Sequence, residues 1–135
     1  MADPTGDPFV LRAASGQAAL RPSPYGPTNV WSYNGSVPGP EIRVRQGDRL
    51  LVLAQNGLDE GTTIHWHGIR LDNRYDGVPG VTQDPVQPGD SFRYRIHFPD
   101  AGIYWYHPHH REDIQQDLGL YGNMRVDARD PDYFG

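Results

Sequence analysis

Apolar and polar residues alternate in short runs along this chain. From Phe92 to Phe98 every second residue is aromatic or aliphatic, and successive side chains on a strand point to opposite faces of its sheet. This run therefore predicts a half-buried strand with His97 on the solvent side. Similar runs predict further strands at residues 9–14, 28–33, 41–45, 49–55, 62–67 and 103–109. Residues 118–126 end the globular pattern, with Gly119 and Gly122 permitting a close approach or a kink.

Glycine, proline and asparagine separate these runs and predict the turns between strands. We expect turns at 15–16 and 34–35, with residues 17–20 pairing back after the first. Residues 70–87 predict a long turn-rich loop, and loops of this length are often functional. Residues 111–116 predict a single helical turn. No segment has the sustained period of a long amphipathic helix, and there is no internal repeat. The pattern predicts an all-β sandwich or barrel.

Length and charge narrow the class of protein. The chain has 135 residues, enough for one domain with its own core. We expect a flexible lead-in at 1–8, a domain at 9–127 and a linker-like tail at 128–135. The net charge of −5, with both signs interspersed, argues against a nucleic-acid partner. No apolar run approaches the roughly 20 residues of a membrane span, so we expect no membrane partner.

Four histidines form two pairs, each with one residue between its members. The pairs are His65 with His67, and His107 with His109, and each closes a strand-like run. Residues at i and i+2 share a face, so both pairs can present imidazoles, which suit copper, zinc, nickel or iron. The alternative is two aromatic-rich strands whose histidines alternate by chance, but the second copy of the pattern favours a metal site. We expect His110 to be a surface residue.

Several segments together resemble a known family. They are His65-Trp66-His67-Gly68, Asp76-Gly77-Val78-Pro79-Gly80, Gly102-Ile103-Tyr104-Trp105-Tyr106-His107-Pro108-His109 and Gly119-Leu120-Tyr121-Gly122. In order and spacing they resemble the first, N-terminal cupredoxin (plastocyanin-like) domain of laccase-type multicopper oxidases. The resemblance covers residues 9–126 and implies a cupredoxin-like Greek-key β-barrel. It also suggests a periplasmic or secreted location.

The resemblance assigns roles to individual residues. His65 corresponds to a ligand of the type 2 copper, and His67, His107 and His109 to ligands of the type 3 pair, where dioxygen is reduced to water. Asp76 stands where the family has a carboxylate that relays protons; the alternative is an ordinary turn aspartate before glycine.

The residues next to these positions carry weaker expectations. Glu112 and Asp113 either orient the histidines or form a solvated acidic pair at a helix start. We expect Trp66, Trp105 and Tyr106 to pack in the core rather than carry electrons.

The chain also departs from the family pattern. The family's trinuclear cluster takes eight histidines, of which this chain has the first four, and a chain without cysteine cannot form a His₂Cys type 1 copper site. The chain alone therefore lacks parts that a complete laccase-type oxidase requires. We expect oxidation of phenol-like or metal-ion reductants only when a partner supplies the missing half of the site.

Three hypotheses follow. In the first, the chain is a detached or truncated first domain that binds copper without efficient turnover and needs a partner cupredoxin domain for the other histidines. In the second, two copies join through their histidine faces as a weak oxidase. The third is a non-catalytic metal-binding module, including one that holds zinc.

Overall fold

Two four-stranded sheets make up the part of the chain that the computed structural model describes, which is residues 8–18, 28–109 and 111–130. The strands of this part are β1 (Phe9–Ala18), β2 (Thr28–Tyr33), β3 (Ile42–Arg45), β4 (Arg49–Gly57), β5 (His65–His67), β6 (Ser91–His97), β7 (Gly102–His107) and β8 (Gly122–Asp127). One short helix, α1 (Glu112–Gln115), follows β7, and a 3-10 turn (Asn73–Tyr75) lies in the loop after β5.

The strand order mixes parallel and antiparallel neighbours. The first sheet has the order β2-β1-β4-β6 and the second β3-β8-β7-β5. β1 is parallel to β4 and β3 is parallel to β8, whereas the other pairs are antiparallel. The all-β, cupredoxin-like class predicted from the sequence is confirmed.

The predicted turn at 15–16 is wrong, because β1 continues through these residues. The first part of β1 pairs with β4, and from Ala13 onward the strand pairs with β2, so that Ser15 lies opposite Trp31 and Gly16 opposite Val30. A change of partner strand therefore replaces the turn. Residues 17–18 belong to this same strand, and the rest of the predicted 17–20 segment lies outside the described residues.

The other predicted strands are present in the structure, but some begin or end at different residues. The run at 62–67 keeps only His65–His67 as a strand. In the segment 118–126, for which no strand was predicted, β8 begins at Gly122. His109 lies beyond the end of β7, and the helical turn is confirmed as α1. His97 is exposed, as its phase predicted. None of the described helices is long and apolar enough to cross a membrane.

Aromatic side chains fill the centre between the sheets. Trp66, Tyr94 and Tyr106 are fully buried, and the Trp66 ring lies 5.5 Å from Tyr94 and 5.7 Å from Tyr106 between centroids. The expectation of core packing is thus confirmed for Trp66 and Tyr106. It is wrong for Trp105, which is only half-buried and lies on the other side of its strand.

Candidate metal centre

The short pairing of β5 with β7 brings the first three histidines together. His65 lies opposite His107, Trp66 opposite Tyr106, and His67 opposite Trp105. Because side chains alternate, burial of Trp66 in the core turns both neighbouring histidines to the outer face. His107 and Trp105 reach the same face from β7.

Three imidazoles of this face are close enough to share a ligand. One ring nitrogen from each of His65, His67 and His107 lies within 4.8 Å of the other two. The His65 ring is central, with its centroid 5.7 Å from that of His67 and 5.4 Å from that of His107. His107 is buried, His65 half-buried and His67 exposed, so the group opens toward solvent on the side of His67.

His109 joins the group from beyond the strand. Pro108 interrupts β7, and the His109 ring lies 5.1 Å from that of His65 and 6.3 Å, stacked, from that of His107. His109 does not belong to the group of His65, His67 and His107, whose ring nitrogens lie within 4.8 Å of one another. The structure therefore gathers all four predicted histidines around His65, three of them tightly. His110 lies outside the described residues.

The hydrogen bonds of two histidines fix which ring nitrogen carries the proton. His65 Nδ1 lies 2.7 Å from the main-chain oxygen of Asp76, and His107 Nδ1 lies 2.8 Å from that of Pro108. A carbonyl oxygen only accepts, so each Nδ1 must donate, and in the neutral ring Nε2 keeps its lone pair. This tautomer leaves Nε2 available to bind a metal while Nδ1 is held by its acceptor, and a donor set of imidazoles fits copper or zinc.

Asp76 contacts His65 through its side chain as well. Its Oδ1 lies 3.3 Å from His65 Nδ1, and its side chain is 34% exposed. The predicted carboxylate is thus at the edge of the histidine group and in contact with water. Asp113 is exposed on α1, and the side chain of Glu112 is not described.

The loop that carries Asp76 is pressed against the strand that carries His65. Gly77 has φ +71°, and a Cβ there would collide with the carbonyl of Ile64. The Ile64 amide donates to the Tyr94 hydroxyl at 3.0 Å, and that hydroxyl donates to Gln83 Oε1 at 2.9 Å. Burial raises the pKa of Tyr94, so its phenol stays a neutral hydroxyl able to make both bonds.

Sequence reasoning missed two kinds of residue at this site. The Trp105 ring lies 4.1 Å from His107, inclined by 31°, and 5.3 Å from His67. Its position two residues before His107 was a signal, because alternation places both on one face. Thr63 is a fully buried polar residue whose Oγ1 accepts from the His109 amide at 3.4 Å, and no local pattern marks it.

Comparison with known proteins decides the family. A family model described as "Multicopper oxidase" matches residues 16–131. The chain belongs to the multicopper oxidases. Its two-sheet structure is a cupredoxin domain of that family, and the family implies copper as the metal.

Relatives of this multicopper oxidase domain are much longer. It is 44% identical over 101 residues to a copper resistance protein A homolog of Pseudomonas syringae pv. tomato, which covers 75% of the domain chain and 17% of the relative. It is 44% identical over 100 residues to Laccase-1 of Botryotinia fuckeliana, covering 72% and 18%. The chain thus spans less than a fifth of these relatives.

Solved structures agree with the fold of the domain. A multi-copper oxidase from Pseudomonas thermotolerans superposes with a TM-score of 0.88 at 48% identity, covering 95% of this chain and 31% of that one. Lac15 from a marine microbial metagenome gives a TM-score of 0.86 at 41% identity, covering 96% and 34%. Both therefore contain this domain within a longer chain.

Proposed function

We propose that this domain carries half of a type 2/type 3 trinuclear copper site for dioxygen reduction in a laccase-like multicopper oxidase. The observation that carries the proposal is the convergence of His65, His67 and His107 ring nitrogens within 4.8 Å. His109, with its ring 5.1 Å from that of His65, completes the set of four.

Each histidine has a proposed place in the site. His65 is the ligand of the type 2 copper, and His67, His107 and His109 are ligands of the type 3 pair. Copper bound there supplies one-electron redox chemistry and a binding place for dioxygen. Within this chain, the Asp76 and Pro108 carbonyls hold the His65 and His107 imidazoles in the tautomer that leaves Nε2 free.

Asp76 is the proposed proton relay. Reduction of dioxygen to water consumes protons as well as electrons, and a carboxylate can accept a proton from water and pass it on. The Asp76 carboxylate meets water on one side and lies 3.3 Å from His65 Nδ1 on the other. This position between solvent and the histidines supports the role.

The other half of the site is proposed to come from a partner cupredoxin domain. His67 is exposed on β5, an edge strand of the second sheet, so a second set of ligands can approach it. The thiolate of a type 1 site also has to come from elsewhere, since the chain has no cysteine. Relatives named as laccase and copper resistance protein favour phenol-like compounds or metal ions as reductants of the whole oxidase.

The same exposed edge favours a second candidate function. Two chains related by a two-fold axis would present the same histidine face to each other and could complete a copper cluster with weak oxidase activity. A non-catalytic metal-binding module, loaded with copper or with zinc, is the remaining candidate, because four imidazoles also suit tetrahedral zinc.

Native mass and metal content of the purified chain separate these functions. We expect a monomer that binds copper in preference to zinc when both are supplied, because copper stands higher in the divalent affinity order. Alone it should not consume dioxygen. His65→Ala and His107→Ala should each lose copper, whereas His97→Ala, which changes a surface histidine, should retain it.

Two results would change the assignment. A copper-loaded dimer that consumes dioxygen with an added reductant supports the self-associated oxidase instead. Preferential loading with zinc, or copper binding that survives loss of His65 and His107, contradicts the proposed copper half-site.

A further inference from the structure

Thr63 lies where the strand of the first histidine pair, the loop of Asp76 and the second histidine pair meet. Its side chain is fully buried, two residues before His65. A buried hydroxyl needs partners, because burying it without a hydrogen bond is unfavourable. Both partners of this hydroxyl are main-chain groups next to the metal-site residues.

The first partner is the loop that orients His65. Thr63 Oγ1 donates to the main-chain oxygen of Gly77 at 2.7 Å. The carbonyl of the preceding residue, Asp76, accepts from His65 Nδ1 at 2.7 Å. The two carbonyls are adjacent along the backbone, so fixing the first restricts the direction of the second. The Thr63 hydroxyl is therefore connected to His65 Nδ1 through two adjacent carbonyls.

The second partner belongs to the other histidine pair. The main-chain amide of His109 donates to Thr63 Oγ1 at 3.4 Å. A hydroxyl can donate one hydrogen bond and accept others, so the single oxygen joins two segments that are 46 residues apart in the chain. The position of His109 relative to His65 depends on this junction, because His109 lies beyond the end of β7 and lacks strand pairing.

We propose that Thr63 is a positioning residue of the metal site: its hydroxyl fixes the Asp76–Gly77 carbonyls behind His65 and the amide of His109, and so sets the geometry of both histidine pairs. The inference deepens the proposed copper function and depends on it for its effect on copper. Its effect on the tautomer of His65 is a property of the metal-free chain.

The neighbouring threonine provides a matched control. Thr62 is also buried, but its Oγ1 donates to Gln115 Oε1 at 2.8 Å, and Gln115 Nε2 donates to the Gly61 carbonyl at 2.8 Å. These bonds tie α1 to the chain before β5 without reaching an imidazole or its carbonyl partner. Loss of the Thr62 hydroxyl should therefore cost stability without changing the histidines directly.

The experiment compares Thr63→Val, Thr63→Ser and Thr62→Val with the unchanged chain. In metal-free protein at about pH 8.5, above the ordinary imidazole pKa, nitrogen-15 NMR reports the tautomer of His65. We expect one tautomer, protonated at Nδ1, in the unchanged chain, in Thr63→Ser and in Thr62→Val. In Thr63→Val we expect a mixture of the two tautomers.

Copper affinity, measured by competition with a chelator, is the second readout. We expect Thr63→Val to bind copper about 10- to 100-fold more weakly, the range typical for loss of a group that orients a ligand. Thr63→Ser should restore most of the affinity, and Thr62→Val should leave it nearly unchanged. Equal losses in Thr63→Val and Thr62→Val, or an unchanged His65 tautomer in Thr63→Val, overturn the proposal.

The role of Thr63 can still be tested if the chain binds no copper or if Thr63→Val does not fold. If the unchanged chain binds no copper, the copper half-site fails, while the NMR comparison still decides the role of Thr63. If Thr63→Val does not fold, hydrogen exchange of the His109 amide in the unchanged chain provides the test. Protection of that amide supports the junction, and exchange at the rate of an unstructured chain contradicts it.

Discussion

Asp76 contacts the His65 ring through two different oxygens. Its main-chain oxygen lies 2.7 Å from His65 Nδ1, whereas its carboxylate Oδ1 lies at 3.3 Å. The shorter contact belongs to the backbone, so the ring is oriented by a group that no side-chain substitution removes. The carboxylate is left to interact with water. The two interpretations of this aspartate, turn residue and proton relay, are therefore compatible.

Asp76→Asn should separate these two roles. We expect copper affinity to stay within about threefold, because the backbone carbonyl still accepts from His65. Dioxygen consumption by the complete, copper-loaded oxidase should fall by about 100-fold or more, the usual size of a lost acid–base group. Steady-state oxygen electrode measurements and copper titration of the same preparations provide the two readouts.

A second loop aspartate is the control for this substitution. Asp72 lies in the same loop, is exposed, and pairs with Arg74 at 3.4 Å. Asp72→Asn should leave both affinity and turnover unchanged. A loss of copper in Asp76→Asn as large as its loss of turnover would assign the carboxylate to ligand orientation and exclude the relay.

Alternation along a strand predicted which residues share the metal-site face, but not what holds them there. It placed His65 with His67 and His107 with His109. The same alternation puts Trp105 on the face of His107, but the prediction for Trp105 was core packing, and it was wrong. Thr63 and the Asp76 carbonyl could not be predicted, because their roles depend on how a distant loop folds back onto β5. Every residue has a main-chain carbonyl, so the sequence does not show which carbonyl accepts a hydrogen bond from a histidine.

At the scale of elements, the loop after β5 supports this strand on the side where no other strand of the described sheet pairs with it. β5 has three residues and pairs only with β7 within the described sheet. On its other side the chain is held by the loop. Thr62 and Val86 exchange main-chain hydrogen bonds at 3.1 and 2.8 Å, and Gly77 packs on the Ile64 carbonyl. The loop thereby fixes a strand too short to be stable alone.

Two glycines of this loop allow its packing to be tested. Gly77 has φ +71° and lies against Ile64, whereas Gly80 has φ +75° and nothing within 4 Å of a Cβ. Alanine at either position adopts an unfavourable left-handed conformation, at about 1–2 kcal/mol. Only Gly77→Ala adds a collision, and overpacking costs about 1–3 kcal/mol more.

Chemical denaturation of the metal-free variants measures the difference. We expect Gly80→Ala to lower the free energy of unfolding by about 1–2 kcal/mol and Gly77→Ala by about 2–5 kcal/mol. Copper affinity should fall only in Gly77→Ala, because only that collision moves the carbonyls behind His65. Equal losses of stability would show that the loop does not support β5 through Gly77.

Across the part of the molecule that the structure describes, the second sheet carries the histidine group and the first sheet packs behind it. β5 and β7 present the histidines outward, and β4 and β6 contribute the buried residues behind them, including Val52 and Tyr94. The all-β class followed from short alternating runs, which are local. The continuation of β1 past Ser15 did not, because it results from pairing first with β4 and then with β2. Strand partners are set by the global topology, which short runs do not encode.

An ion pair between two distant segments makes the stability of the domain depend on pH, and the direction of this dependence can be predicted. Arg70 forms a bidentate pair with Asp100, with Nε to Oδ2 at 2.7 Å and Nη2 to Oδ1 at 3.0 Å. The hydrogen bond from Arg70 lowers the pKa of Asp100. A carboxyl whose pKa is lower in the folded state stabilises the fold above its unfolded pKa of about 3.9, and this stabilisation is lost as the pH falls through the folded pKa.

Asp100→Asn should therefore melt at a lower temperature than the unchanged chain at pH 6. The difference should shrink toward zero as the pH falls below the folded-state pKa of Asp100, because both chains are then uncharged at this position. The effect should be small, because exposed ion pairs contribute little and are screened by salt. Thermal melts of metal-free protein at low ionic strength measure it. Arg70→Gln, which removes the other half of the pair, should show the same convergence at acid pH. A melting difference that does not change as the pH is lowered from 6 would mean that Asp100 stabilises the turn before β7 by hydrogen bonding alone and not by its charge.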